Sequence, residues 1–161
     1  MDKLLSILSE NAEFTPTQLA AMLNESEDAI KNRIEKYRSD GIIKGYQALI
    51  DWSRVEDAGV TAFIELKVTP KPETGFDEIA AQVMDFEKVE SVYLVASSTY
   101  DLLAVVKGDN IQDIAMFVSR RLSTLNSVIS TATHFLLKHY KEGGIIVCDE
   151  LDTDEQRSLI M

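Results

Sequence analysis

Apolar residues follow one period up to about residue 50 and another from Val60 on. Leu4, Leu5 and Leu8 fall near helical spacing with Ile7 beside them, which predicts a helix over 2–11. In "FTPTQLAAML", Thr15 is a good N-cap, Pro16 suits the first helical position and Gln18 completes a capping box. Phe14 and Leu19 occupy the two positions of a hydrophobic staple, so a second helix is expected over 16–23. Asn24, Glu25 and Ser26 form the break, and Ser26 can cap a third helix over 27–40. Gly41 ends that helix, and "IIKGYQALI" reads as an extended segment.

After a polar stretch, "DWSRVEDA", the side chains Val60, Ala62, Ile64, Leu66 and Val68 alternate with more polar neighbours, which predicts a strand ended by Pro70 and Pro72. Phe76, Ile79, Ala80 and Val83 make a helical stripe. "VESVYLVAS" and "YDLLAVVKG" read as two strands about a short turn. Ile111, Ile114, Ala115, Val118, Leu122 and Leu125 form a second helical face, and "SVISTATHFLLKHY" a final long strand. The order βαββαβ predicts a ferredoxin-like sandwich, an antiparallel sheet with both helices on one face. Its other face also carries apolar residues, and a partner subunit is the simplest cover for them. The tail "GGIIVCDELDTDEQRSLIM" is expected to add one strand before an acidic end. The fold class is therefore α+β, an N-terminal winged helix-turn-helix of three helices plus a C-terminal βαββαβ sandwich. The expected divisions are 1–50 for the helices, 51–58 for a linker, 59–140 for the sandwich and 141–161 for the tail.

Composition narrows the function classes. The chain has 161 residues with a formal net charge of −11, which argues against indiscriminate binding to nucleic acid. The charge is uneven. Residues 1–50 hold 6 basic and 8 acidic side chains, a net of −2, and the remaining 111 residues carry −9. The first third thus repels a polyanion least. The single cysteine, Cys148, forbids an internal disulfide. The start of the chain does not resemble a signal peptide, and no run approaches the roughly 18 apolar residues needed to span a bilayer. A cytoplasmic protein without membrane association is expected.

Three short helices with a tight turn between the second and third match a helix-turn-helix arrangement. On a wheel of the third, Ile30, Ile34 and Tyr37 share the buried side, while Asp28, Lys31, Asn32, Glu35, Lys36 and Ser39 project outward. Arg33 and Arg38 flank the apolar stripe. Asn32 could read adenine, and Lys31 could reach guanine or phosphate. Arg33 and Lys36 could pair with phosphates or brace the fold. Composition leaves a second reading open, an ordinary solvated charged face. Glu27 and Asp28 do not decide between the two, because carboxylates in a first turn favour the helix dipole in either case.

"FTPTQLAAMLNESEDAIKNRIEKYRSDGIIKGYQALID" resembles the N-terminal domain of the Lrp/AsnC (feast/famine) family of bacterial transcription regulators. "NRIEKYRSDGIIKGY" looks like that family's recognition helix and the glycine-bounded strand after it. The βαββαβ order looks like its ligand-sensing, oligomerising domain, so the resemblance covers roughly residues 2–140. Ser26 matches the family's capping serine and Arg33 its basic position, whereas Glu25 stands where a hydrophobic residue is usual. The resemblance implies a sequence-specific reader of double-stranded DNA. Its contacts are expected from Ser26, Lys31, Asn32, Arg33 and Lys36, with Thr15, Thr17 and Gln18 adding phosphate contacts through the start of the preceding helix. So few cations per subunit need a linked second copy, so a homodimer is expected, and the resemblance implies its assembly to a tetramer or octamer.

The loop "VASSTYDLL" occupies the position of the family's ligand loop, with Asp101 matching its aspartate and Ser98 standing where glycine is typical. Thr131 and Thr133 match threonines of the last strand. The resemblance implies a small-molecule effector, commonly an amino acid, bound near Ser97, Ser98, Thr99, Tyr100, Asp101, Thr131 and Thr133 between dimers. A carboxylate can hold an ammonium group while hydroxyls and loop amides hold a carboxylate. "SSTYD" is also an ordinary hairpin turn, and threonine is unremarkable on a strand. His134 and His139 lack a cysteine at metal-ligand spacing, Trp52 reads as a packing anchor, and residues 149–155 as a solvated acidic run. No P-loop, dinucleotide fingerprint or activated nucleophile is present, so no cofactor and no catalysis are expected. Two alternatives stand beside this reading. One is a related enzyme that decarboxylates tetrapyrroles, which would need basic and histidine side chains lining a large pocket where this chain has two histidines. The other is a sensor whose helix-turn-helix has lost DNA binding.

Overall fold

A computed structural model of the chain describes residues 2–148. By its internal contacts it divides into two compact units. One holds the described residues up to Ile50 together with those from Tyr140 to Cys148, the other Asp51–His139.

The first unit is built on α1 (Lys3–Glu10), α2 (Pro16–Leu23) and α3 (Glu27–Ser39). Each start is set by a local side chain. Asp2 caps α1 by accepting from the amides of Leu4 and Leu5, so it stands outside the helix that the apolar pattern had drawn through it. Thr15 and Gln18 form the reciprocal capping box of α2. Asn24 takes the left-handed conformation that closes α2, and Ser26 accepts from the Ala29 amide to open α3. The three helices pack about Leu4, Leu8, Leu19, Ala20 and Ile30, with Phe14, Ile34 and Tyr37 partly buried against them. Residues 42–50 form no strand.

The tail differs from the single strand expected of it. Lys141–Glu142 (β5) and Ile145–Ile146 (β6) pair as a two-rung hairpin instead. Gly143 and Gly144 both have positive φ, 55° and 87°, which a two-residue turn of this hand requires. "EGGI" carried that signal in the sequence. The acidic run 149–155 lies outside the described residues.

In the second unit, β1 (Val60–Val68), β2 (Val89–Leu94), β3 (Leu102–Gly108) and β4 (Val128–Phe135) form one antiparallel sheet in the order β2-β3-β1-β4. β4 ends at Phe135, five residues before the expected end, and His139 lies beyond it. A 3₁₀ turn, Trp52–Arg54, precedes the sheet, and the Lys107 ammonium sits 3.7 Å over the Trp52 ring. Helices α4 (Asp77–Met84) and α5 (Ile111–Phe117) cross the sheet, and α5 runs on into a π turn, Val118–Leu122. Period-two alternation buries Ala62, Ile64, Leu66 and Val68 of β1 and Leu102, Ala104 and Val106 of β3 against Ile79, Val83, Ile114 and Leu122. On the opposite face, Phe63 pairs in register with Val105 and His134, and Glu65 with Leu103 and Ala132. His134 Nε2 lies 3.3 Å from the Glu65 carboxylate there.

Ile30 has no exposed surface and sits at the centre of the three-helix core. Ile30→Ala is expected to cost the N-terminal unit about 2–5 kcal/mol in urea denaturation. Asn32→Ala, two residues on and exposed, should stay within about 0.5 kcal/mol of wild type.

Candidate nucleic-acid interface and effector loop

The placement of α3 is set from its buried side. Ile30 is fixed in the core, and Arg33, one turn on, reaches two carboxylates from two other segments. Its Nη2 donates to both Asp2 oxygens, at 3.1 and 2.9 Å, and its Nη1 pairs with Glu25. The Tyr37 hydroxyl donates to the same Asp2 carboxylate at 2.7 Å. One carboxylate therefore caps α1 and holds two side chains of α3. The Tyr37 hydroxyl above all, then the Leu5 and Leu4 amides and the Arg33 charge, hold the Asp2 carboxyl down at about 2 against an ordinary 3.8.

Of the two roles open to Arg33, pairing with phosphates or bracing the fold, this geometry shows the second, with the guanidinium held by two carboxylates of the protein. It also accounts for Glu25, the acid in a place where an apolar residue was expected: the side chain is there to meet Arg33.

The other candidates separate by what already holds them. The side chains of Thr15, Gln18 and Ser26 are engaged in capping, so they shape the helix starts rather than offer free hydroxyl or amide groups. Thr17 donates to Glu27 at 2.8 Å, and Glu27 in turn pairs with Lys31 at 2.6 Å, linking the start of α2 to α3. That link lowers the Glu27 carboxyl, chiefly through Lys31 and then Thr17, and raises Lys31 through Glu27. The Lys31 side chain remains 53% exposed, and exposed pairs of this kind exchange readily for a phosphate. Asn32 and Lys36 are exposed and have no side-chain partner among the described residues. Arg38 lies 3.9 Å from Glu35 and 5.6 Å from the centre of the Tyr46 ring. Of the eight residues expected at DNA, Lys31, Asn32 and Lys36 thus share an accessible surface.

The loop between β2 and β3 places Ser97, Ser98 and Thr99 at an exposed tip, with the Ser97 and Thr99 hydroxyls 3.2 Å apart and Tyr100 half-buried behind them. Asp101 is not free to take an ammonium group. One oxygen is 3.1 Å from the Lys67 ammonium, the other accepts from the Val68 amide at 3.0 Å, and the side chain is 17% exposed. The Val68 amide first, then Lys67, holds its carboxyl below the usual range. Its role is to tie the loop to β1. Thr131 and Thr133 lie in register with Leu66 and Ile64, so they line the helix side of β4, where Thr131 Oγ1 is 3.3 Å from Ser123 Oγ. Leu66 pairs with Leu102 on its other flank, so β1 stands between loop and threonines, roughly 10 Å apart by two ladder spacings. Within one chain the seven residues do not meet in one pocket.

Sequence reading missed Asp2 and Lys67, and it placed Tyr37 on the buried side without the bond its hydroxyl makes to Asp2. A capping signal for Asp2 was present in "MDKLL", whereas its pairing with Arg33 spans 31 residues and had no local signature. Among the described residues no group of three His, Cys, Asp or Glu side chains could hold a metal ion, and no helix is long and apolar enough to cross a membrane.

The sequence model of the Lrp/AsnC ligand binding domain matches residues 61–146. An HTH-type transcriptional regulator of Bacillus subtilis, YugG, is 43% identical over 159 residues, covering 98% of this chain and 94% of its own. The HTH-type transcriptional regulator LysM of Sulfurisphaera tokodaii is 33% identical, over 84% of this chain and 91% of its own. A transcriptional regulator from Neisseria meningitidis, solved as a complex with L-methionine, shares the fold with a TM-score of 0.69 at 24% identity, covering 88% of this chain and 93% of that one.

Asp2 has a depressed carboxyl, so its stabilising effect is present above about pH 4 and is lost as pH falls towards 2. Asp2→Asn should lower the melting temperature of the N-terminal unit at pH 7 and flatten its decline between pH 4 and pH 2, as followed by circular dichroism.

Proposed function

The chain belongs to the Lrp/AsnC family of transcription regulators, and on that premise we propose that its N-terminal unit reads double-stranded DNA through the outer side of α3. The observation that carries this is the division of α3 into two sides. Ile30, Arg33 and Tyr37 are anchored, while Lys31, Asn32 and Lys36 face solvent. Asn32 presents an amide suited to the N6 and N7 edge of adenine. Lys31 and Lys36 sit on opposite shoulders of the exposed ridge, positioned for the two phosphate backbones that border a major groove. Residues 1–50 carry the reading, 51–58 link, 59–140 sense and assemble, and 141–161 form the tail. The site of action is the cytoplasm, and the role is regulatory, not catalytic.

Assembly follows from two needs. Two or three cations per subunit bind duplex weakly, and a second linked copy raises avidity through effective concentration. The sheet face bearing Phe63, Leu103 and Val105 is covered by neither α4 nor α5, with the Trp52 ring over Lys107 at one end, and a homodimer covers the rest. Larger rings of four or eight subunits extend the same logic.

The effector is a small molecule of the amino-acid class. The Neisseria relative in complex with L-methionine supports that class. The Ser97–Thr99 hydroxyls supply polar contacts to a zwitterion, and the separation of this loop from Thr131 and Thr133 is consistent with a site that a neighbouring subunit completes.

The decisive experiment is retardation of DNA from upstream of the protein's own gene. Wild type should retard it in a salt-dependent manner, and the double charge reversal Lys31→Glu with Lys36→Glu should abolish the shift. Lys36→Ala alone should lower the slope of log affinity against log salt by about one per bound subunit. Retardation unaffected by the double reversal rejects this surface. Calorimetric titration with the twenty amino acids should give heat with at least one, and silence with all of them rejects the effector assignment.

A further inference from the structure

The acidic start of α3 contains one carboxylate that no hydrogen bond or close ion pair holds among the described residues. Glu25 is paired with Arg33, Glu27 with Lys31 and Thr17, and Glu35 lies near Arg38. Asp28 is exposed and makes no hydrogen bond or close ion pair among the described residues, and its charge reaches Lys31, one turn on, only at longer range. Like Glu27 it stands in the first turn and favours the helix dipole, but unlike Glu27 it is tied to no side chain of α2.

Its position is specific. At about 100° per residue, Asp28, Asn32, Glu35 and Ser39 form the ridge farthest from Ile30, Ile34 and Tyr37. Asp28 lies at the N-terminal end of that ridge, the end from which helix-turn-helix proteins reach base edges most deeply. Lys31 and Lys36 lie on its two shoulders, so phosphates are drawn to the sides while the carboxylate points at the groove floor. A carboxylate there is repelled by N7 and O6 of guanine, by O4 of thymine and by N7 beside the N6 amino group of adenine, and it accepts a hydrogen bond from the N4 amino group of cytosine, which has no ring acceptor beside it in the groove.

Resting on α3 as the DNA-reading helix, we infer that Asp28 is a specificity-determining residue that selects cytosine in each half-site. Asn32 is one turn on, about 6 Å along the helix axis, which is roughly two base-pair steps. The half-site therefore holds a cytosine about two base pairs from an adenine read by Asn32. Asp28 contributes discrimination more than affinity, because its charge opposes the backbone wherever cytosine is absent.

The test is selection of bound duplexes from a random pool by the full chain, with wild type, Asp28→Ala and Asn32→Ala run in parallel. Circular dichroism confirms that each variant keeps its helices. Wild type should enrich a cytosine column at a fixed offset from an adenine column. Asp28→Ala should lose the cytosine column and keep the adenine one, and Asn32→Ala the reverse. In competition, replacing that cytosine by thymine should weaken wild type roughly ten-fold and leave Asp28→Ala unchanged. If Asp28→Ala selects the same columns as wild type and binds every duplex more tightly, the carboxylate is merely tolerated and the inference is overturned. If wild type enriches no sequence, the DNA-reading assignment of α3 fails, and this inference fails with it.

Discussion

The contact on which the N-terminal unit turns is the Arg33 guanidinium held between the carboxylates of Asp2 and Glu25. Ile30 alone would hold α3 in the core, but an apolar side chain resists rotation weakly. Arg33 adds direction, because a planar donor group matches two acceptors in one geometry only. Asp2 shares its oxygens between Arg33, Tyr37 and the first amides of α1, so the start of the chain, α1 and α3 are fixed by one group. The sides of α3 follow from this. With Arg33 turned inward, Asp28 and Asn32 must face out. A helix in a chain of net charge −11 can then present cations and an amide to a groove, with several of its own acids neutralised within the fold.

In the second unit the same economy of partners decides what the loop after β2 can do. Asp101 is fastened to β1 by Lys67 and the Val68 amide, so the loop is a braced hairpin that presents hydroxyls rather than charge. The threonines expected beside it sit across β1, on the helix side of the edge strand. If these residues hold an effector as proposed, a neighbouring subunit must bring the two parts together. Binding of an effector would then be linked to assembly, since whatever binds the assembled state more tightly must also favour it.

Much of this was legible in the sequence, and the division follows distance along the chain. The caps at Thr15, Gln18 and Ser26, the staple of Phe14 and Leu19, and the alternation from Val60 to Val68 are local rules, and they place elements close to where they are found. The Gly143–Gly144 turn was equally local and was passed over because the two flanking strands are so short. Arg33 with Asp2 and Lys67 with Asp101 are 31 and 34 residues apart, and no periodicity tells which of several exposed charges will meet. Those two pairings are also the ones that change the site. They engage Arg33 and Asp101 within the fold, two groups that the family resemblance had set at DNA and at an effector.

The most direct measurement is site-specific photo-crosslinking to duplex DNA from upstream of the gene. A photoreactive amino acid is placed in turn at position 32 on α3, at position 5 on α1 and at position 93 on β2. The account predicts crosslinks to base-bearing fragments from position 32, competed by specific duplex and lost at high salt, with none from positions 5 or 93. Crosslinks from either of those positions with none from position 32 would contradict it.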